Sequence, residues 1–197
     1  MVIGWDLDGV LYPWHEIVLE YCISNKFIDP NTTLKRLFNP FNPENFFDNK
    51  FTKNFRRNIL RNPTFFEKAV INPKTLSVLN EVSKNHKQVY ITKREVPDCV
   101  VVTKQWVRKL PDGNNCFVLG NGNKRDLIRE LQCDLYIEDR VDYAKDIQEV
   151  CRVLLLTRPW NEDWKEDGRI DRVENLNHTI FYINKFSEIK SLQGFIP

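Results

Sequence analysis

From residue 70 onward the chain alternates between amphipathic stretches and short, uniformly apolar runs, and this alternation constrains its fold more than any other feature. Leu76, Leu79 and Val82 mark one face of a helix ahead of Val89-Tyr90-Ile91. A second helical stretch, about Pro97 to Leu110, leads into Cys116-Phe117-Val118-Leu119. A third, about Lys124 to Leu131, leads into Leu135-Tyr136-Ile137, and a fourth around Tyr143 to Val150 leads into Val153-Leu154-Leu155-Leu156. Apolar runs without polar alternation are strands buried on both faces, as in a parallel sheet covered by crossover helices. Val2, Ile3 and Trp5 supply one more strand at the start. The expectation is an α/β chain with a doubly wound, parallel five-stranded sheet.

Residues 14–69 do not follow that pattern. They hold Phe27, Phe38, Phe41, Phe46, Phe47, Phe51, Phe55, Phe65 and Phe66, nine of the thirteen phenylalanines, which is enough for a small core of their own. Basic residues are interspersed, among them Lys35, Arg36, Lys50, Lys53, Arg56, Arg57 and Arg61. Pro40 and Pro43 interrupt the segment, leaving helices around Glu16 to Ile23 and Phe46 to Leu60. Residues 1–13 and 70–197 are therefore read as a Rossmann-like core and residues 14–69 as an inserted helical cap. In the tail, Thr179 to Lys185 suits either a helix or an edge strand.

A chain of 197 residues is sized for one domain, or one core with an insertion. A net charge of +2 is too small to drive binding to nucleic acid or a membrane surface. No apolar stretch is long enough to cross a bilayer. The first strand begins at residue 2, leaving no room for a signal peptide, so a cytoplasmic location is expected. Cys22, Cys99, Cys116, Cys133 and Cys151 are odd in number and form no C-x-x-C pair, which reads as free thiols in a reducing compartment. His15, His86 and His178 are scattered, so neither a zinc site nor a serine–histidine triad is indicated.

Chemistry-bearing residues gather at the strand exits. Asp6-Leu7-Asp8-Gly9-Val10 closes the first strand. Side chains two apart on an extended chain face the same side, so Asp6 and Asp8 would share a site. Two adjacent carboxylates repel unless a cation stands between them. A calcium loop is excluded, because Val10, Tyr12 and Trp14 fill positions that would need oxygen ligands. Thr92 closes the second strand, followed by Lys93 and Arg94; a hydroxyl and backbone N–H groups there suit a phosphoryl oxygen, while taken alone Thr92 reads rather as the N-cap of the following helix. Lys124 follows Gly120-Asn121-Gly122-Asn123 at the turn into a helix, a setting for an anion, although the Walker spacing is missing. Glu138-Asp139 closes another strand, ahead of Arg140 and Asp142. Acids there are costly to bury unless paired or bound to metal, and otherwise would cap the next helix.

Taken together and in this order, these residues resemble the four motifs of the haloacid dehalogenase-like hydrolases. Asp6-Leu7-Asp8-Gly9-Val10 matches the first, Thr92 the second, Lys124 the third and Glu138-Asp139 the fourth. Within that superfamily the chain is similar to the 5'(3')-deoxyribonucleotidase group and its bacterial and phage relatives. Ile91-Thr92-Lys93-Arg94 with Trp106, Ile137-Glu138-Asp139-Arg140, Leu156-Thr157-Arg158-Pro159-Trp160-Asn161 and the insertion after the first motif carry that likeness. Glu138 departs from the pattern, standing where many relatives have Asp or Gly.

The resemblance implies magnesium-dependent phosphoryl transfer. Asp6 would attack phosphorus to form an aspartyl-phosphate. Asp8 would protonate the leaving oxygen and then take a proton from the attacking water. Mg2+ would sit on the Asp6 side chain, the Asp8 backbone carbonyl and Asp139, with Glu138 or Asp142 orienting its waters. Thr92 and Lys124 would hold the phosphoryl oxygens, with Lys93 and Arg94 assisting at a phosphate or sugar. The expected substrate is a small phosphomonoester, a nucleoside monophosphate and in particular a deoxyribonucleotide. The cap would select it, with Trp14, Phe46 and Phe47 as candidate base contacts at about 1–3 kcal/mol per stacked base. Two alternatives stay open: a 3'-phosphatase on nucleic-acid ends, which would use the basic cap, and a non-enzymatic domain that binds nucleotides or partner proteins. Oligomeric state is not encoded in any feature of the sequence.

Overall fold

A computed structural model of the chain describes residues 1–38, 61–165 and 168–193. Its sheet is built from β1 (Val2–Trp5), β2 (Lys87–Lys93), β3 (Cys116–Leu119), β4 (Leu135–Glu138), β5 (Arg152–Leu156) and β6 (Ile170–Val173). All neighbours pair in parallel, in the order β3-β2-β1-β4-β5-β6. The chain thus grows outward from β1 in one direction and then in the other. In such a sheet the crevice beside the first strand, at the carboxyl ends, is where ligands sit.

The sixth strand corrects the expectation of five. Ile170-Asp171-Arg172-Val173 carries only two apolar residues, too few to stand out as a strand. Pairing specifies it instead: Ile170 lies opposite Val153 and Val173 opposite Leu156, both apolar residues turned inward. The ambiguous tail beyond it is helical.

Eight helices are present among the described residues. α1 (Trp14–Ser24), α2 (Leu34–Phe38) and α3 (Thr64–Glu67) fall in the 14–69 segment. α4 (Pro73–Ser83), α5 (Pro97–Val107), α6 (Lys124–Glu130), α7 (Val141–Ile147) and α8 (Leu176–Gln193) belong to the alternating part. Asn72 caps α4, its side chain accepting from the Lys74 N–H with Pro73 at the first helical position, where a missing N–H costs nothing. The expected helix from Phe46 to Leu60 lies outside the described residues.

Alternate residues along each central strand feed opposite faces of the sheet. Trp5, Tyr90, Ile137, Leu154 and Leu156 pack with Val18, Val78, Leu79, Trp106 and Ile183 from α1, α4, α5 and α8. Val89, Ile91, Tyr136, Val153 and Leu155 pack with Ile128, Ala144 and Ile147 from α6 and α7. Each fully buried side chain of this kind contributes about 1.5–3 kcal/mol. The strands are therefore apolar throughout because both faces are covered.

Trp14, Val18, Cys22, Phe65 and Phe66 belong to the first of these clusters, so both ends of the 14–69 segment share a core with the sheet. The Tyr12 hydroxyl donates to the Phe65 carbonyl at 2.8 Å, and the Trp106 indole N–H donates to the Ala69 carbonyl at 3.0 Å. The returning chain is thus fixed beside the C-terminal edge of the sheet. Among the described residues no helix is long and apolar enough to cross a membrane.

Candidate active site

Register brings the acids together. Trp5 pairs with Ile137, and the Asp6 N–H donates to the Ile137 carbonyl at 2.9 Å, so the next residues on β1 and β4, Asp6 and Glu138, emerge side by side. Among the described residues, the carboxylates of Asp6, Glu138 and Asp139 form a cluster with oxygens within 4.8 Å of one another, all three buried.

Lys124 enters this cluster from the first turn of α6. Asn123 starts that helix by accepting from the Arg125 N–H, which aims the following lysine inward. Its Nζ donates to Asp6 Oδ1 at 2.6 Å and to Glu138 Oε2 at 3.0 Å, and its side chain is only 4% exposed. This lysine is no solvated surface charge. Burial alone would favour the neutral amine, but the Asp6 and Glu138 carboxylates outweigh it and hold the ammonium well above the usual lysine range.

The acids are shifted upward as well, which for a carboxyl favours the neutral form. Burial, reinforced by Glu138, pushes Asp6 up to about 7 despite the Lys124 ammonium. Asp139 is raised well above the carboxylate range by burial, then by Glu138 and Asp6. Three carboxylates against one ammonium leave two formal negative charges in a buried site.

The oxygens are not equally engaged. Glu138 Oε1 accepts from the backbone N–H groups of Asp139 and Arg140 at 3.1 and 3.2 Å, and its Oε2 accepts from Lys124. Asp139 Oδ2 accepts from the Trp160 indole N–H at 2.9 Å, while Asp139 Oδ1 is buried without a hydrogen-bond partner. A divalent cation fits this donor set: it supplies the two missing charges and a partner for the orphaned oxygen, and hard oxygen ligands suit magnesium.

Asp8 takes a different direction. Its two oxygens accept from Arg94 Nη1 and Nη2 at 2.7 and 2.8 Å, and they lie outside the three-acid cluster. Arg94 also donates to Thr103 Oγ1, Thr92 Oγ1 and the Lys93 carbonyl, and its plane lies over Phe66 at 4.2 Å. These contacts within the protein fix the guanidinium, and through it the direction of Asp8. Thr92 is buried at the end of β2 and does not cap a helix, since α5 begins at Pro97 after Val96.

Lys93 sits at the rim with its Nζ 5.2 Å from the Tyr143 ring centre, a ring also faced by Lys124 and Arg140. Asp142 is not brought to the cluster; it forms an exposed two-point pair with Arg140 at 3.0 and 2.6 Å. Trp14 is buried, edge-on to His15 and near Phe38, and offers no open face for a base. Phe46 and Phe47 lie outside the described residues.

Gly9 has φ +80°, a conformation costly for other residues, and a Cβ there would collide with the Asp139 carboxylate. The first-motif loop can approach the fourth motif only because this position is bare.

A second layer escaped sequence reasoning except as a marker of kinship. Arg158 donates to the Gly9 and Val10 carbonyls at 2.5 and 3.3 Å. Asn161 Nδ2 donates to the carbonyls of Asp139 and Leu156 at 2.6 and 2.8 Å. Arg172 of β6 braces this loop by donating to Thr157, Asn161 and Trp164. The signal available in sequence was the strand-exit position of Thr157-Arg158-Pro159-Trp160-Asn161, after β5.

Comparison with known proteins agrees with this geometry. The chain matches, over residues 1–186, the family described as "5' nucleotidase, deoxy (Pyrimidine), cytosolic type C protein". A protein described as a nucleotidase from Clostridium acetobutylicum is 34% identical over 88 residues, covering 43% of this chain and 45% of that protein. The chain therefore spans less than half the length of that relative. A haloacid dehalogenase-like hydrolase from Streptococcus pneumoniae superposes with a TM-score of 0.58 at 14% identity, covering 92% of this chain and 97% of the other. A superfamily hydrolase of subfamily IA from Geobacter sulfurreducens gives 0.58 at 10% identity, covering 92% and 98%. These two share the fold. The sequence match over nearly the whole chain goes further: the protein belongs to the cytosolic type C 5'-nucleotidase family, on a haloacid dehalogenase-like fold.

Proposed function

We propose that this protein is a magnesium-dependent phosphomonoesterase that hydrolyses nucleoside monophosphates, with deoxyribonucleotides as its preferred class, through an aspartyl-phosphate. The observation that carries the reading is Lys124, buried between Asp6 and Glu138 beside an Asp139 oxygen that lacks a partner. A structural ion pair needs no such orphan; a phosphoryl-transfer site does. The family match supports the substrate class.

Asp6, Asp139 and the Asp8 backbone carbonyl would hold the ion. Glu138 has both oxygens occupied, so Asp139 Oδ1 is the direct ligand of the two neighbouring acids. When bound, Mg2+ supplies positive charge that keeps these acids ionised and offsets charge on the phosphoryl oxygens.

The chain's own groups then divide the reaction. An Asp6 carboxylate oxygen attacks phosphorus as the bond from phosphorus to the nucleoside oxygen breaks. Asp8, protonated on a lone pair that its bonds to Arg94 leave free, gives that proton to the leaving oxygen. Water next attacks the acyl phosphate, losing a proton to the Asp8 carboxylate, and the Asp6 carboxylate departs as inorganic phosphate forms. Thr92 and Lys124 hold the phosphoryl oxygens through both steps, in positions that exclude bulk water. Residues 14–69, whose ends cover the C-terminal edge of the sheet, act as the cap that selects the nucleoside, and Lys93 adds charge at the rim.

Phosphate release should be measured from a panel of mononucleotides, sugar phosphates and 3'-phosphorylated oligonucleotides, with magnesium and with chelator. Turnover of mononucleotides that requires magnesium is expected. Turnover confined to oligonucleotide ends, steeply dependent on salt, would replace this reading with a nucleic-acid end phosphatase.

A further inference from the structure

The loop after β5 does more than close the fold. Trp160 donates its indole N–H to Asp139 Oδ2, and Asn161 donates to the Asp139 carbonyl, so both the side chain and the backbone of this residue are held from one loop. The same loop holds the first motif, through Arg158 and the carbonyls of Gly9 and Val10. Trp160 is itself only 4% exposed, and its ring stacks on His15 at 4.0 Å with 27° between planes. His15 in turn meets Phe38 of α2 edge-on at 4.5 Å. A carboxylate with one oxygen bonded to a rigid donor can present the other in only one direction. Here that other oxygen is the buried, partnerless Oδ1.

We propose that Trp160 is a positioning residue for metal binding. Its N–H ties down one Asp139 oxygen, fixes the carboxylate as a single-oxygen ligand, and aims the free oxygen at the ion, while the stack on His15 fixes the indole. The inference rests on the reading of Asp6 and Asp139 as magnesium ligands. Donors behind a metal ligand commonly change metal affinity about 10–100-fold when removed. The indole is a donor, which is what a carboxylate ligand, itself only an acceptor, needs behind it.

The test is magnesium titration by calorimetry on metal-free protein, comparing the unsubstituted chain with Trp160→Phe and Asp139→Asn. Phenylalanine keeps the aromatic packing on His15 and removes only the donor. Trp160→Phe should weaken magnesium binding about tenfold or more, with a circular dichroism spectrum like that of the unsubstituted chain. Unchanged affinity in Trp160→Phe, with binding abolished in Asp139→Asn, would overturn this inference and leave the proposed function standing. No magnesium binding by the unsubstituted chain would overturn both. A second measurement does not depend on how the variant folds. Of the five tryptophan indole N–H resonances, one should shift on magnesium addition in the unsubstituted chain and stay fixed in Asp139→Asn. If none shifts, the coupling between indole and metal ligand is absent.

Discussion

Arg94 grips Asp8 with two parallel hydrogen bonds of 2.7 and 2.8 Å, across 86 positions of sequence. The Arg94 side chain is 2% exposed and braced by Thr92, Thr103 and the Lys93 carbonyl, so it fixes the direction of the carboxylate. A point charge cannot reproduce that fork. Arg94→Lys should therefore lower kcat by about two orders of magnitude, the scale of a positioned acid–base group, with little change in KM. The loss should be larger for nucleoside monophosphates than for p-nitrophenyl phosphate, whose leaving group needs no proton. Steady-state kinetics on both substrates check this; undiminished kcat on nucleoside monophosphates would mean that Arg94 does not act through Asp8.

Lys124 neutralises part of a buried acidic cluster, and removing it leaves Asp6 and Glu138 without a counter-charge. Lys124→Met should cost about 3–5 kcal/mol in metal-free protein, the usual penalty for breaking a buried pair. Magnesium should recover part of that stability. Urea denaturation with and without the ion measures both effects.

Gly9 occupies a left-handed conformation against Asp139. Gly9→Ala should lose about 1–2 kcal/mol from backbone strain alone. It should also lose most activity, because the added methyl displaces the Asp139 carboxylate. Thermal melts and phosphate release, measured on the same preparation, separate the two losses.

Burial pushes the Cys22 thiol up to about 11 and those of Cys133 and Cys151 up to about 12, against an ordinary value of 9.0. The thiols should therefore resist modification by a disulfide reagent at pH 8 until the chain unfolds. The folded state holds these protons more tightly than the unfolded one. The stability they contribute is complete below pH 9 and is lost as pH rises toward 12. The urea midpoint should fall across that window.

The doubly wound core was readable because each βα unit separates an uninterrupted apolar run from a helix with one apolar face. β6 was not, since two apolar residues in four carry no pattern and only pairing with β5 defines the strand. Asp6, Glu138, Asp139 and Lys124 were readable as polar residues at strand exits or a helix start, positions where burial demands a purpose. The partner of Arg94 was not, because no local spacing reveals which distant carboxylate a guanidinium will meet. Trp160 and Asn161 likewise stood out in the sequence as a marker of kinship, while their contact with Asp139 depends on β5 lying beside β4. Trp14 shows the reverse: an aromatic near a site is more often packing than recognition.

The central claim is that Asp6 is the nucleophile of a phosphomonoesterase. It is tested most directly by phosphate release from a deoxyribonucleoside monophosphate in the presence of magnesium, comparing Asp6→Asn with the unsubstituted chain. The account predicts that Asp6→Asn falls to background while keeping its fold by circular dichroism. Undiminished hydrolysis by Asp6→Asn would contradict it.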